Sequence, residues 1–236
     1  NEQWEEQYIE RYKLFEKALK EKHPEIRIVS GAGPSASGAY FDYAWGELKK
    51  LSPALIDEHY YMAPEWFLKN AGRYDNYDTS GIKVFAGEYA AHGREGAEPE
   101  SRNSWLSALT EAAFMTGLER NAAVVNMATY DHLLAHVDAW QWRPDLIWFD
   151  NLQTIVTPNY YVQKMFSTHR GTQVIPALSA GKPLEGADSL YASATADKKD
   201  LKVYIKLINS SATVKPVRLS LEGLSFLKNG EIETLK

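Results

Sequence analysis

IKVFAGEYA, residues 82–90, is the stretch that decides the fold. It is a short, almost continuous apolar run that closes on a glycine, one carboxylate (Glu88) and small residues. A run this short and this apolar predicts a strand buried on both faces, as in a parallel sheet covered by helices. The neighbouring segments repeat the pattern. A Gly/Glu-rich loop at 92–102 leads into NSWLSALTEAAFMTGLERN (103–121), a long helix, and then into AAVVNMATY (122–130), a further apolar strand.

Upstream the same alternation holds. Residues 5–22 predict a helix with Trp4, Tyr8, Phe15 and Leu19 on one face, stopped by Pro24. IRIVSGAG (26–33) predicts a strand, 37–50 an amphipathic helix, LIDEHYY (55–61) a strand and 64–72 a short helix. Downstream, LIWFDN (146–151) is a short apolar segment and 158–168 a last helix. Repeated strand–helix units predict parallel α/β architecture. No dinucleotide glycine fingerprint follows any strand, and SGAGPSASG (30–38) lacks the Lys-Ser/Thr of a phosphate loop. The doubly wound sheet therefore loses ground to a (β/α)8 barrel, of which the chain holds about four units.

After Gly171 the texture changes. TQVIPALSA, SLYASATAD, DLKVYIKLINSS and VKPVRLSLEGL alternate apolar and polar residues with period two, separated by turn-like ADKKD and KNGE. The expected fold class is α/β plus β, the C-terminal half of a (β/α)8 TIM barrel followed by part of an antiparallel β-sandwich. The expected domains are 1–171, from the end of the fourth barrel strand through the eighth, and 172–236, the sandwich region. NEQW at 1–4 looks like the end of a strand whose beginning is missing. A half barrel exposes two sheet edges, so a complementing N-terminal segment or a second copy of the chain is expected to cover them.

Composition narrows the partners. The 236 residues carry a net charge of -5, which implies no basic face for nucleic acid. No apolar run approaches the length of a membrane span. There is no cysteine, so the redox compartment is unreadable, and a secreted, periplasmic or cytoplasmic setting all remain open. Aromatics reach 12%, with 7 Trp and 14 Tyr. Several fall near strand ends, among them Tyr60, Tyr61, Tyr89, Tyr130, Trp140 and Trp142. Flat sugar faces stack on such rings, although Trp and Tyr also fill cores.

In a barrel the C-terminal strand ends line the active site. That places two carboxylates, Glu2 and Glu88, at the mouth on different strands. Glycoside hydrolysis needs such a pair, one to protonate the leaving oxygen and one to attack or to activate water. Glu88 in an apolar strand needs donors, and His59 and Tyr61 on the adjacent strand can supply them. Asn1 can bind a sugar hydroxyl, and Trp142 in DAWQW (138–142) can form part of the rim. His132 and His136 in HLLAH have a spacing that binds zinc on a helix, but no third ligand is evident. No metal or cofactor is expected. An NSS sequon at Asn209 carries no argument by itself.

Five segments together resemble glycoside hydrolase family 51, the α-L-arabinofuranosidases: NEQW (1–4), DEHYYMAPEWF (57–67), KVFAGEYAAH (83–92), HVDAWQWRPDLIWFDN (136–151) and TPNYYVQKMFSTHRG (157–171). They cover nearly the whole chain in the family's order. The resemblance implies that Glu88 is the nucleophile, Glu2 the general acid/base and Asn1 the residue that precedes it. It implies that His59 and Tyr61 are active-site residues, with Tyr61 bonded to the nucleophile. Where some members carry Trp after the nucleophile, this sequence has Tyr89 and His92, which are expected to contact substrate. The implied activity is retaining hydrolysis of terminal α-L-arabinofuranosyl residues from plant polysaccharides or oligosaccharides. A related endoglucanase or β-xylosidase, or an inactive or carbohydrate-binding fragment, are the alternatives.

Overall fold

The structure, a computed structural model, describes residues 6–92, 102–223 and 229–235. Asn1, Glu2 and Trp4 lie outside them. The first part of the chain runs α1 (Glu6–Lys22), β1 (Val29–Gly31), α2 (Ala39–Leu51), β2 (Leu55–Met62), α3 (Pro64–Lys69), β3 (Lys83–Ala91), α4 (Trp105–Arg120) and β4 (Val125–Ala128). The strands form one parallel sheet in chain order, β1-β2-β3-β4. Its two central strands are the most deeply buried, with Leu55, Ile56 and Tyr60 of β2 and Val84, Ala86, Tyr89, Ala90 and Ala91 of β3 in the interior.

All the helices lie on one face of this sheet. Ile56 packs against Ile9 of α1 and Phe41, Ala44 and Leu48 of α2. Tyr60, Val84 and Tyr89 pack with Phe67 of α3 and Phe114 of α4. The opposite face carries Asp57, His59, Tyr61 and Glu88. The first helix departs from expectation. Its buried residues are Ile9 and Tyr12, whereas Phe15 is 69% exposed. The buried stripe runs through Ile9, Tyr12, Glu16 and Leu19, at spacings of three, four and three, and Phe15 lies off that face and points to solvent.

β2 is anchored from behind by a buried carboxylate. Glu58 is fully buried and accepts from Trp45 Nε1 at 2.9 Å, Tyr77 at 3.1 Å, Tyr74 at 3.0 Å and Arg73 Nε at 3.2 Å, and also from Tyr60. A charge this deep is tolerated because every lone pair has a donor and a guanidinium balances it. The network ties α2 and the 70–81 loop to the sheet.

After β4 come β5 (Leu134–His136), β6 (Ile147–Phe149), β7 (Thr154–Val156) and α5 (Pro158–Thr168). β6 pairs with β5 in parallel and with β7 in antiparallel, forming a small separate sheet. HLLAH is extended rather than helical. His132 and His136 therefore stand about 13 Å apart along the chain rather than on one helix face. Among the described residues no three His, Asp or Glu side chains are placed so as to hold a metal ion. α5 starts where Thr157 caps Tyr160 N at 3.3 Å and Pro158 occupies the first turn.

The remaining strands are antiparallel. β8 (Gln173–Ile175), β11 (Leu190–Asp197) and β12 (Lys202–Asn209) form one sheet in the order β12-β11-β8, and the short β9 (Leu178–Ser179) and β10 (Lys182–Pro183) form a hairpin. The expected strand in VKPVRLSLEGL is absent from the described residues. Val214 is 95% exposed there, and alternation alone makes no strand without a neighbour to hydrogen-bond. α4 is sandwiched between the two sheets, which explains why it is buried on nearly every side. Gly117 sits so close to Ala71 that a Cβ would meet its carbonyl oxygen at 1.8 Å. Beyond it, Glu119 accepts from Ser193 and from Lys206, each at 2.5 Å, and Arg120 bonds Asp75 at 2.9 Å and Glu185 at 2.8 Å.

α4 also carries a buried carboxyl, Glu111. It accepts from Ala91 N and from Asn159 Nδ2, both at 2.7 Å. Burial, only partly opposed by those bonds, pushes it up from 4.5 to about 8. The folded chain thus holds a proton that the unfolded chain releases near pH 4.5. Its contribution is complete below that pH and is lost as pH rises through about 8. The expected result is a fall in unfolding free energy on the order of 2–4 kcal/mol across that window. Glu111→Gln, which cannot ionise, flattens the slope in denaturant titrations at pH 5, 6.5 and 8.

Candidate active site

The site is set by one irregularity. β2 and β3 pair Glu58 with Ala86 and His59 with Glu88, so Gly87 is an extra residue in β3. Such a bulge re-aims the side chain that follows it. Glycine is required by close approach, because a Cβ at 87 would lie 2.0 Å from Asp57 Oδ1. The result directs Glu88 onto the face of His59 and Tyr61.

The Glu88 side chain is 27% exposed. Tyr61 donates its hydroxyl to Glu88 Oε2 at 2.8 Å. His59 Nδ1 lies 3.3 Å from the same oxygen, in contact but too poorly aligned to count as a hydrogen bond. On its other side His59 Nε2 is 2.9 Å from Asp57 Oδ2. A neutral imidazole donates from one nitrogen only, so His59 serves both carboxylates at once only as an imidazolium. The Tyr61 hydroxyl also lies 2.5 Å from Asp131 Oδ2. Burial, with hydrogen bonds to Asp131 and Glu88, pushes Tyr61 well above its usual range, so it remains a protonated donor.

Aromatic rings border this cluster. The Tyr61 ring stacks on His132 at 6.0 Å and 16°, and meets His92 at 5.3 Å and the edge of Trp142 at 6.3 Å. Trp142 is 45% exposed and also touches His92 and His132. Burial, aided by Arg102 and His132, pulls His92 down to about 4, which keeps it neutral and uncharged beside the rings. An exposed indole next to a half-buried carboxylate and its donors can hold a sugar ring over a nucleophile.

Of the expected site residues, Glu88, His59, Tyr61, His92 and Trp142 come together. Asn1 and Glu2 fall outside the described residues. Tyr89 is a correction. It is fully buried, donates to Gln163 Oε1 at 3.0 Å and packs on Phe114 and Tyr130. Successive strand residues point to opposite faces, so the neighbour of Glu88 faces the helices and not the mouth. Three residues that border the site were missed. Asp57 was legible, since period two puts 57, 59 and 61 on one face. Asp131 and His132 follow a strand, and nothing local marks them as partners of Tyr61.

The chain is similar to known α-L-arabinofuranosidases. The family model described as the α-L-arabinofuranosidase C-terminal domain matches residues 87–236, and that of the α-L-arabinofuranosidase 1 domain matches 1–79. An extracellular exo-α-L-arabinofuranosidase of Streptomyces chartreusis is 44% identical over 200 residues, which is 83% of this chain and 23% of that protein. α-L-Arabinofuranosidase A of Aspergillus kawachii is 30% identical, over 93% of this chain and 32% of that one. The chain thus spans about a quarter to a third of the length of these relatives. Among solved structures, an arabinose-bound family 51 α-L-arabinofuranosidase, MgGH51, superposes with a TM-score of 0.74 at 32% identity, over 88% of this chain and 32% of that one. The Thermotoga maritima enzyme, at 0.65 and 15% identity over 89% of this chain and 50% of that one, shares the fold.

The close approach at Gly87 gives a paired expectation. Gly87→Ala destabilises the chain by about 1–3 kcal/mol, because the new methyl must displace Asp57. Gly46→Ala, inside α2 where a Cβ meets nothing within 4 Å, stabilises it, by about 0.5–1 kcal/mol. Chemical denaturation of the two variants checks both signs.

Proposed function

The chain belongs to glycoside hydrolase family 51, the α-L-arabinofuranosidases, and from that premise we propose that it carries the nucleophile side of a retaining active site. The observation that supports this reading is Glu88, aimed from the β3 bulge at an aromatic-bordered mouth with Tyr61 and His59 against its Oε2. The substrate is a terminal α-L-arabinofuranosyl group on a plant polysaccharide or oligosaccharide. Trp142 offers the sugar a stacking face, and neutral His92 borders it.

Hydrolysis then proceeds by two displacements. Glu88 attacks the anomeric carbon as the glycosidic C–O bond breaks, and Glu2 gives its proton to the departing oxygen. Glu2, now a carboxylate, takes a proton from water, and that water oxygen displaces Glu88 from the anomeric carbon. Two inversions restore the starting configuration. The two carboxyls then belong about 5–5.5 Å apart. Glu2 must begin protonated, which burial or the neighbouring Glu88 charge favours. Asn1 holds a sugar hydroxyl.

We place the catalytic region at 1–171 and the β region at 172–236, with further chain completing the barrel wall. No helix among the described residues is long and apolar enough to cross a membrane. The extracellular Streptomyces relative supports action outside the cell, where the polysaccharide lies.

Glu88→Gln, assayed in the protein that carries this chain, is expected to lower kcat by about four orders of magnitude or more, as loss of a nucleophile does. Aryl α-L-arabinofuranoside, β-xyloside and β-glucoside measured side by side are expected to show turnover of the first. Activity that survives Glu88→Gln contradicts the nucleophile assignment, and preference for either of the others contradicts the substrate.

A further inference from the structure

Asp131 is a second carboxylate on the nucleophile's own hydrogen-bond donor. It stands on the segment after β4, and its Oδ2 lies 2.5 Å from the Tyr61 hydroxyl, whose distance to Glu88 is 2.8 Å. A tyrosine has one hydroxyl proton. With Tyr61 held as a phenol, that proton reaches one carboxylate at a time, and the other faces a lone pair. The ring cannot swing aside, because His132 stacks on it and His92 and Trp142 flank it.

Resting on the reading of Glu88 as nucleophile, we propose that Asp131 is a positioning residue that competes with Glu88 for the Tyr61 proton and so sets how firmly the nucleophile is held as a carboxylate. Each competitor has a further partner. His132 Nε2 lies 2.9 Å from Asp131 Oδ2, and His59 Nδ1 lies 3.3 Å from Glu88 Oε2. The groups form a chain of contacts from His132 through Asp131, Tyr61, Glu88 and His59 to Asp57, so a change of charge at one member is felt by the others.

The chain fits the chemistry step by step. Before attack, the Asp131 charge and its pull on the Tyr61 proton keep Glu88 under-stabilised and nucleophilic. When Glu88 becomes an ester its charge is gone, and Tyr61 turns fully to Asp131. When the ester bond breaks, Tyr61 returns its hydrogen bond to the oxygen on which charge develops, a donor already in place. No proton leaves Tyr61 at any stage.

The test is the pH dependence of kcat/KM in the protein that carries this chain. The titratable groups that face Tyr61 and Asp131 among the described residues are Asp57 and His59 from β2, Glu88 from β3, His92 just past its end, and His132 and Asp145 after β4. Comparison between variants isolates the Asp131 contribution. Asp131→Asn removes a negative charge and commits the Tyr61 proton to Glu88, so the acid limb moves to lower pH by about one unit. Asp131→Ala moves it the same way. Tyr61→Phe moves it up, and adding Asp131→Asn to Tyr61→Phe then shifts it by much less than in the parent. A role in folding alone lowers kcat without moving the limb. An unmoved limb in both Asp131 variants, or an equal shift with and without the Tyr61 hydroxyl, overturns the inference. Glu88→Gln run in the same series separates the two readings. If it is dead while the Asp131 variants are unshifted, only this inference fails; if it turns over, both fail.

Discussion

The parallel pairing of β2 with β3, offset by one residue at Gly87, is the constraint on which the site depends. Without the extra residue, Glu88 falls out of step with His59 and Tyr61. With it, two groups of β2, Tyr61 and His59, converge on the carboxylate of β3. The offset is possible because Gly87 leaves room for Asp57, which in turn fixes the far nitrogen of His59. The bulge therefore positions the carboxylate, its donor and the residue that orients a neighbouring imidazole.

The same two strands are held rigid from behind by unlike means. β2 is fastened through buried Glu58, whose donors come from α2, the 70–81 loop and Tyr60. The end of β3 is fastened through Glu111 on α4, which accepts the Ala91 amide. Each is a buried carboxyl with satisfied oxygens, and each sits on the helix side of the sheet. The mouth side keeps half-exposed groups that can meet substrate. Because α4 also grips the antiparallel sheet through Glu119 and Arg120, the β region supports the strand that carries Glu88.

Much of this was legible in the sequence where a segment is long and strongly patterned. β2, β3 and α4 fall where their apolar runs predict, and Glu88, His59 and Tyr61 meet as strand-end reasoning expects. The failures share a cause: each needed knowledge of a neighbour. A bulge is a relation between two strands, so Gly87 gives no local sign of one. Tyr89 read as a rim aromatic because aromatic content does not say which face a ring occupies. Phe15 shares a helical spacing with Tyr8 and Leu19, but the stripe that packs is the one centred on Ile9 and Tyr12. Alternation at 214–221 promised a strand, yet no described neighbour pairs with it. Asp131 reaches Tyr61 across 70 residues of sequence.

The central claim, that Glu88 is the group that bonds to the sugar, is tested most directly by covalent trapping. A 2-deoxy-2-fluoro-α-L-arabinofuranoside with a good leaving group slows the second displacement, so the ester accumulates and survives proteolysis. Peptide mapping of the trapped protein by mass spectrometry is predicted to find the fluorosugar on Glu88. A label on Asp57 or Asp131, or steady turnover with inverted product and no label, contradicts the account.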